Sequence, residues 1–279
     1  FPNKPFTLHE VLRRHNYEIN LILSGDHTNF YGLRESYGAV DSYFDGTLQK
    51  KRYVNDDLLV LEYVAELPEY DGVRPAMFQF HLMSSHGLGR RHTEVFEPSI
   101  NYYKWAPGKE GVVAPDEEGK FGGINYYDNG VVQFDYVVER ILGALERKGY
   151  LDDAVIVITG DHGERLGENG GYFGHQYNVD EGVLTIPFIV QRRGYMGEGF
   201  KEWPVSSQID VAPTILAELG IDTPSVWLGR ALQSSVVERK LYFQQARKVG
   251  IYTSVMPQGL LKYWRDLDSG QEFIYTVGD

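Results

Sequence analysis

Cysteine is missing from the 279 residues, which rules out a disulfide framework and any thiolate metal site. A cysteine-free chain suits an oxidising compartment where stray thiols are a liability, but many cytosolic proteins also carry few, so the compartment stays open. No stretch approaches the roughly 20 apolar residues that span a bilayer, and no charged-then-apolar leader opens the chain. Cations are scarce relative to acids: 27 Lys and Arg against 39 Asp and Glu give a formal net charge of −12. That balance argues against nucleic acid, whose phosphates want clustered Lys and Arg. It gives no help at an anionic membrane surface either. Neither an internal repeat nor a low-complexity segment is present.

What is there is ordinary in bulk, with 42% hydrophobic and 24% charged residues, as in one large globular domain or one domain with a small appendage. Helices are expected over Phe6 to Arg14, opened by a Thr7-x-x-Glu10 box, and over Asp56 to Leu67, closed by Pro68. A shorter one is expected over Asn29 to Tyr37. Strands are expected at Glu18 to Leu23, Ala76 to Met83 and Ala154 to Thr159. Gly87 to Gly123 reads as a long loop, of the kind that serves as a lid or binding rim, with Tyr102, Tyr103 and Trp105 in it. The strongest helical pattern runs from Asn125 to Lys148, with Val131, Phe134, Val138, Ile141, Leu142 and Leu145 on one face. Helix followed by strand is the unit of a doubly wound parallel sheet. After Pro213 a helix closes at Gly220, with Asp210 as its cap and Ser207 able to share that role. Four short strands then follow between Lys240 and Tyr275.

One segment concentrates the chemistry. Ile156-Val157-Ile158-Thr159 breaks off into Gly160-Asp161-His162-Gly163-Glu164, and His175 follows thirteen residues after His162. This reads as a buried strand that delivers a carboxylate and an imidazole at its carboxyl end, where open α/β sheets bind ligands. Asp and His together suit a hard or borderline divalent cation such as Zn, Mn, Ca or Mg. The residues alone leave open a polar turn whose Asp and His merely cap a helix. Ser24-Gly25-Asp26-His27-Thr28 holds a second Asp-His pair with two hydroxyls, and is read as structural. His81 is read as a core histidine, Glu164 and Glu168 as loop-fixing hydrogen-bonding groups, and Arg90-Arg91-His92 as a solvated basic turn.

Five blocks in order resemble the sulfatase-like branch of the alkaline phosphatase superfamily, which holds sulfatases and the phosphoethanolamine and phosphoglycerol transferases. They are Thr7 to Tyr17, His81 to Gly87, Asp161 to His175, Ile186 to Val190, and Ser207 to Leu216. The resemblance implies an α/β/α sandwich with a mostly parallel sheet, covering residues 1–235, and a small antiparallel subdomain over residues 236–279. It implies a metal at Asp161 and His162, with His86 and His175 facing the transferred group. Members of the family begin with an acidic strand end and a Ser, Thr or Cys nucleophile, and Phe1-Pro2-Asn3 aligns beyond both. The chain is therefore expected to be a carboxyl-terminal portion that is inactive alone.

The implied function is a metal-dependent hydrolase or transferase acting on phosphate or sulfate esters through a covalent intermediate. Its partner would be a small-molecule, lipid or glycan ester. A membrane would be reached only through upstream segments, in an extracytoplasmic or periplasmic setting, with a cytoplasmic one still open. The oligomeric state is unknown. Many arylsulfatases have a lysine where His175 stands, so the histidine points toward phosphoryl chemistry. The competing reading is a non-catalytic protein that binds a lipid or glycan head group in the same cleft.

Overall fold

The computed structural model describes residues 6–48, 52–105, 112–176, 178–194, 205–234, 239–255 and 259–277. They form two compact units, residues 1–152 with 169–171, and residues 153–168 with 172–279. The boundary expected at 235/236 lies outside the described residues.

The first unit is built on β1 (Glu18–Leu23), whose apolar run is covered on both faces. Ile19, Leu21, Ile22 and Leu23 are fully buried, each contributing roughly 1.5–3 kcal/mol. Helix α1 (Leu8–Arg14) precedes it and starts as expected, with the Thr7 hydroxyl accepting from the Glu10 amide at 3.2 Å. Of the helix expected over Asn29 to Tyr37, only the single turn α2 (Leu33–Ser36) forms. Strands β2 (Ser42–Phe44) and β3 (Ala76–His81) pair with β1 in parallel on either side, and α3 (Leu58–Ala65) packs against it. In that register Leu23 lies opposite His81, so the carboxyl ends of β1 and β3 finish together.

Among the described residues, 82–105 and 112–116 are irregular apart from a 3-10 turn at Tyr102–Lys104 and the two-residue strand β4 (Val112–Val113). Helix α4 (Glu117–Arg147) then begins eight residues earlier than its apolar pattern predicts, and is 31 residues long. Glycines at 119, 122 and 123 make this stretch look like loop. Asp116 supplies the missing start, its carboxylate accepting from the Gly119 amide at 2.7 Å. Gly122 is needed because a Cβ there would meet the Ile100 side chain at 2.6 Å.

The buried face of α4 is also turned from the predicted one. Val131 is exposed and Phe134 and Val138 are half-buried, whereas Asn125, Tyr126, Asn129, Gln133, Val137, Ile141 and Leu145 are buried. The amino-terminal half of that stripe is polar because it serves as a ladder of partners for the irregular segment. Asn129 accepts from the Val95 and Phe96 amides at 2.7 and 2.9 Å and donates to the Phe96 carbonyl at 2.9 Å. Gln133 accepts from the His92 amide at 2.6 Å and donates to the Arg90 carbonyl at 2.8 Å and the Ser84 hydroxyl at 3.0 Å. Asn125 donates to the Pro98 carbonyl at 3.0 Å. Backbone that lacks a strand or helix partner thus finds one in side chains. The turn at Arg90-Arg91-His92 takes part in this bracing through Arg91 and His92, while Arg90 and His92 remain exposed as expected of a solvated turn. Arg91 stacks on Tyr126 with its guanidinium carbon 4.2 Å from the ring centroid and donates to the Tyr126 carbonyl, while His92 reaches Asp56 at 2.9 Å.

In the second unit β5 (Val155–Thr159) is half-buried and pairs antiparallel with β8 (Phe188–Arg192). Parallel pairing is found in the β2-β1-β3 sheet. Between β5 and β8 in the chain come β6 (Arg165–Leu166), the turn α5 (Glu168–Gly171), whose last three residues belong to the first unit, β7 (Tyr172–Gly174) and the turn α6 (Glu181–Leu184), with β6 and β7 antiparallel. Helix α7 (Val211–Glu218) follows β8. Asp210 before it does not cap the helix with its side chain, as its position predicts, but serves other partners. It is fully buried, accepts both arms of Arg239 at 2.5 Å and the Arg230 amide at 2.8 Å, and closes a capping box with Ser207 over the 3-10 turn Gln208–Asp210. The last four strands, β9 (Lys240–Gln245), β10 (Lys248–Val255), β11 (Gly259–Asp266) and β12 (Glu272–Val277), form the expected antiparallel meander in the order β12-β11-β10-β9. Among the described residues no helix is long and apolar enough to cross a membrane.

Replacing Asn129 with Ala strands three backbone groups of the irregular segment. We expect a loss of about 2–4 kcal/mol in urea unfolding, with new proteolytic cuts between residues 92 and 98. An unchanged cleavage pattern would show that the ladder does not hold this segment.

Candidate metal centre

The strand end after β5 places its side chains by a close backbone approach. The Gly163 amide donates to the Val183 carbonyl at 2.8 Å, and a Cβ on Gly163 would lie 2.1 Å from the Gly182 carbonyl oxygen. Only glycine fits there, and the residues on either side, His162 and Glu164, emerge from a fixed point. Gln208 holds the preceding turn, donating to the main-chain carbonyls of Gly160, at 3.3 Å, and Asp161.

His175, just beyond β7, brings its ring to His162, with centroids 3.9 Å apart and planes inclined at 34°. The Nδ1 atom of each ring is engaged. His162 Nδ1 lies 2.9 Å from the Gly163 carbonyl and His175 Nδ1 lies 2.8 Å from a Glu164 carboxylate oxygen. Carbonyls and carboxylates accept, so both Nδ1 atoms carry a proton. Acceptors that fix the ring tautomer in this way accompany metal-binding histidines. Asp161 adds an oxygen 3.5 Å from His162 Nε2, a separation that two ligands of one cation can have. Its side chain is 74% exposed and that of His162 36%, against 11% for Glu164 and 15% for His175. The carboxylate that orients is therefore sheltered, and the carboxylate able to ligate is open. His162, Glu164 and His175 also offer one donor atom each within 4.8 Å of one another, the one such group of three among the described residues. Two imidazoles with carboxylate suit Zn or Mn better than Ca, which prefers an all-oxygen shell.

Sequence reasoning gave Glu164 and Glu168 the same loop-fixing role, and the structure separates them. Glu168 accepts from the Leu166 amide at 2.7 Å, whereas Glu164 orients His175. His86 belongs to the first unit, in the turn after β3, half-buried. Its Nδ1 accepts from the Leu88 amide at 3.1 Å and its ring lies 5.6 Å from that of Tyr103.

The second Asp-His segment, Ser24 to Thr28, is explained by a buried carboxylate that sequence reasoning missed. Asp45 is fully buried and accepts from the His27 and Thr28 amides, the Thr28 and Thr47 hydroxyls and the Tyr43 phenol. His27 Nε2 lies 3.1 Å from His81 Nδ1 and 3.2 Å from the Ser24 carbonyl, with the Tyr37 hydroxyl 3.3 Å from its Nδ1. Burial, with His81 beside it, pushes His27 down to about 4.

The sulfatase family's sequence model matches residues 1–221. The chain belongs to the sulfatase family. It is 33% identical over 140 residues to the multifunctional alkaline phosphatase superfamily protein PehA of Trinickia caryophylli, a match covering 48% of this chain and 26% of that protein. It is 33% identical over 103 residues to an N-acetylglucosamine-6-O-sulfatase of Bacteroides thetaiotaomicron, covering 37% and 18%. The matched stretches thus span about a quarter or less of these relatives. A solved structure in complex with its substrate D-glucosamine-2-N,6-O-disulfate superposes with a TM-score of 0.60 at 15% identity, over 99% of this chain and 76% of that one. That likeness shows the alkaline-phosphatase-like fold.

Two measurements probe these assignments. In calorimetric titration with Zn, Glu164→Ala should weaken binding by roughly 10- to 100-fold and His162→Ala should abolish it. Equal affinity in the Glu164 variant would remove the orienting role. For His27, the unfolded chain takes up a proton near 6.5 that the folded chain refuses until about 4. Its contribution to stability is complete above that upper value and is lost as pH falls toward the lower one. Urea unfolding should show a loss on the order of 2 kcal/mol across this window, after discounting for residual solvent screening. The loss should be absent in His27→Gln.

Proposed function

We propose that this chain carries the metal-binding segment of an enzyme that cleaves or transfers phosphate or sulfate esters through a covalent intermediate. The observation that carries the reading is the pair of stacked imidazoles, His162 after β5 and His175 after β7, each with Nδ1 committed to an acceptor. Asp161 and His162 would hold a divalent cation, which would lower the pKa of a hydroxyl or thiol nucleophile and offset charge on the transferring group. Glu164 fixes the His175 tautomer, so a proton arriving on His175 Nε2 gives an imidazolium already paired with a carboxylate. His86 is proposed to donate to an oxygen of the transferred group.

The relatives' names include a sulfatase and a multifunctional member of the superfamily, and His175 is the residue that separates the two chemistries. A fixed ammonium suits a singly charged sulfate ester. An imidazole held against a carboxylate suits phosphate oxygens and proton transfer. We propose phosphoryl transfer or hydrolysis as the preferred reaction, on a small-molecule, lipid or glycan ester, in an extracytoplasmic or periplasmic setting. Residues 236–279 are proposed to be a small subdomain, a reading supported by the four-stranded meander they supply.

The whole protein should turn over an aryl phosphodiester faster than the matched aryl sulfate. His175→Ala should lower the phosphodiester rate by about 10²- to 10⁴-fold, the range of a lost acid–base group, and His175→Lys should shift the ratio toward sulfate. A sulfate preference that neither variant changes would assign the protein to sulfate ester hydrolysis.

A further inference from the structure

Lys262 is a fully buried cation far along the chain from the metal-type residues, and nothing in the proposed chemistry uses it. It stands on β11, where its ammonium donates to the Val179 carbonyl and pairs with a Glu181 carboxylate oxygen at 3.0 Å. The faces of Phe243, Tyr252 and Tyr275 surround it at 5.4, 5.2 and 5.4 Å from their centroids. Tyr252 also donates to the same Glu181 oxygen at 3.3 Å, and burial raises its phenol, which keeps it a donor. A cation taken out of water at this cost is compensated by a carboxylate, a carbonyl and three ring faces.

The residues it grips lead directly to the site. Val179 and Glu181 flank Asp180, which pairs with Arg165 at 3.0 Å and whose carbonyl accepts from the Val183 and Leu184 amides at 3.1 Å. Glu181 opens α6, and the Gly182 and Val183 carbonyls of α6 are the groups that press on and bond Gly163, between His162 and Glu164. A second tie runs from the same sheet, where Gln245 at the end of β9 donates to the His175 carbonyl at 3.1 Å. We propose that Lys262 is a positioning residue. It anchors the carboxyl-terminal sheet to residues 179–183, which set the distance between His162 and the Glu164–His175 pair. This inference deepens the metal-centre reading and rests on it for its functional consequence.

Removing one partner of a buried ion pair destabilises because the other charge is left unpaired, whereas replacing both is often neutral, which makes the Lys262→Met/Glu181→Gln double variant discriminating. The protein and its double, Glu181→Gln and His162→Ala variants would be compared by hydrogen exchange at the Gly163 amide and by Zn titration. We expect the double variant to keep its unfolding midpoint, to speed Gly163 exchange about tenfold, and to weaken Zn binding by roughly 10- to 100-fold, as for a lost orienting contact. Glu181→Gln should move both readouts in the same direction by less, and stands in if the double variant does not fold. Unaltered Gly163 exchange in both variants would overturn the positioning role. Zn binding in the parent protein that His162→Ala leaves intact would instead overturn the metal-centre reading, with the exchange data still deciding Lys262.

Discussion

The approach of Gly163 to α6 is the constraint on which the candidate centre depends. A main-chain oxygen sits where any other residue would carry its Cβ, and the Gly163 amide is bonded one residue further on. Two strands of backbone that close leave no play between them, so the residues before and after Gly163 point away from a common pivot. His162 then meets His175 ring to ring, and Glu164 reaches around to the far nitrogen of that second ring. Site residues supplied by one strand end and one later turn would otherwise be held only by loop conformation. Here loop is held to loop by main-chain contact, which costs no side-chain entropy.

The first unit solves a comparable problem by different means. Its irregular segment between residues 84 and 101 cannot form a ladder with a strand, so α4 offers amide side chains at successive turns instead. A long loop suggests a lid, but a lid needs backbone that can exchange its partners with water. Amides and carbonyls of residues 90 to 98 are bonded to buried Asn and Gln groups, and Arg91 is committed to a tyrosine ring. It is therefore braced against α4, with Val95 and Phe96 on its outer side exposed.

Regular elements were legible where burial and local chemistry agreed. The strand Glu18–Leu23, the Thr7 cap and the four-strand meander follow from apolar runs, a capping box and Gly-bounded turns. Helix α4 was only half legible, because its first third is glycine-rich to admit Ile100 and its buried face is polar to serve the loop. Both features invert rules that assume a helix buries apolar side chains against other regular elements. At the site, Asp161, His162 and His175 could be read from residue type and spacing, whereas Glu164's partner could not. Asp45 and Lys262 gave no local signal at all. Each is a lone charged residue whose meaning comes from partners brought by the fold, such as Glu181 for Lys262, 81 residues away.

The two Asp-His segments show why type and spacing needed geometry to separate them. Both end a strand, and both bring a second histidine within contact of the first. At His27 the nitrogen facing His81 also faces the Ser24 carbonyl, and the carboxylate nearby, Asp45, is filled by backbone and hydroxyl donors. One shared proton satisfies that nitrogen triangle, burial keeps the ring neutral, and no lone pair is left converging on open space. At His162 and His175 the acceptors sit on Nδ1, behind the rings, and His162 Nε2 faces the exposed Asp161 carboxylate. A histidine whose partners lie in front of it is serving the fold. One whose partners lie behind it is presented to something else, and that difference is what assigns the two pairs to different work.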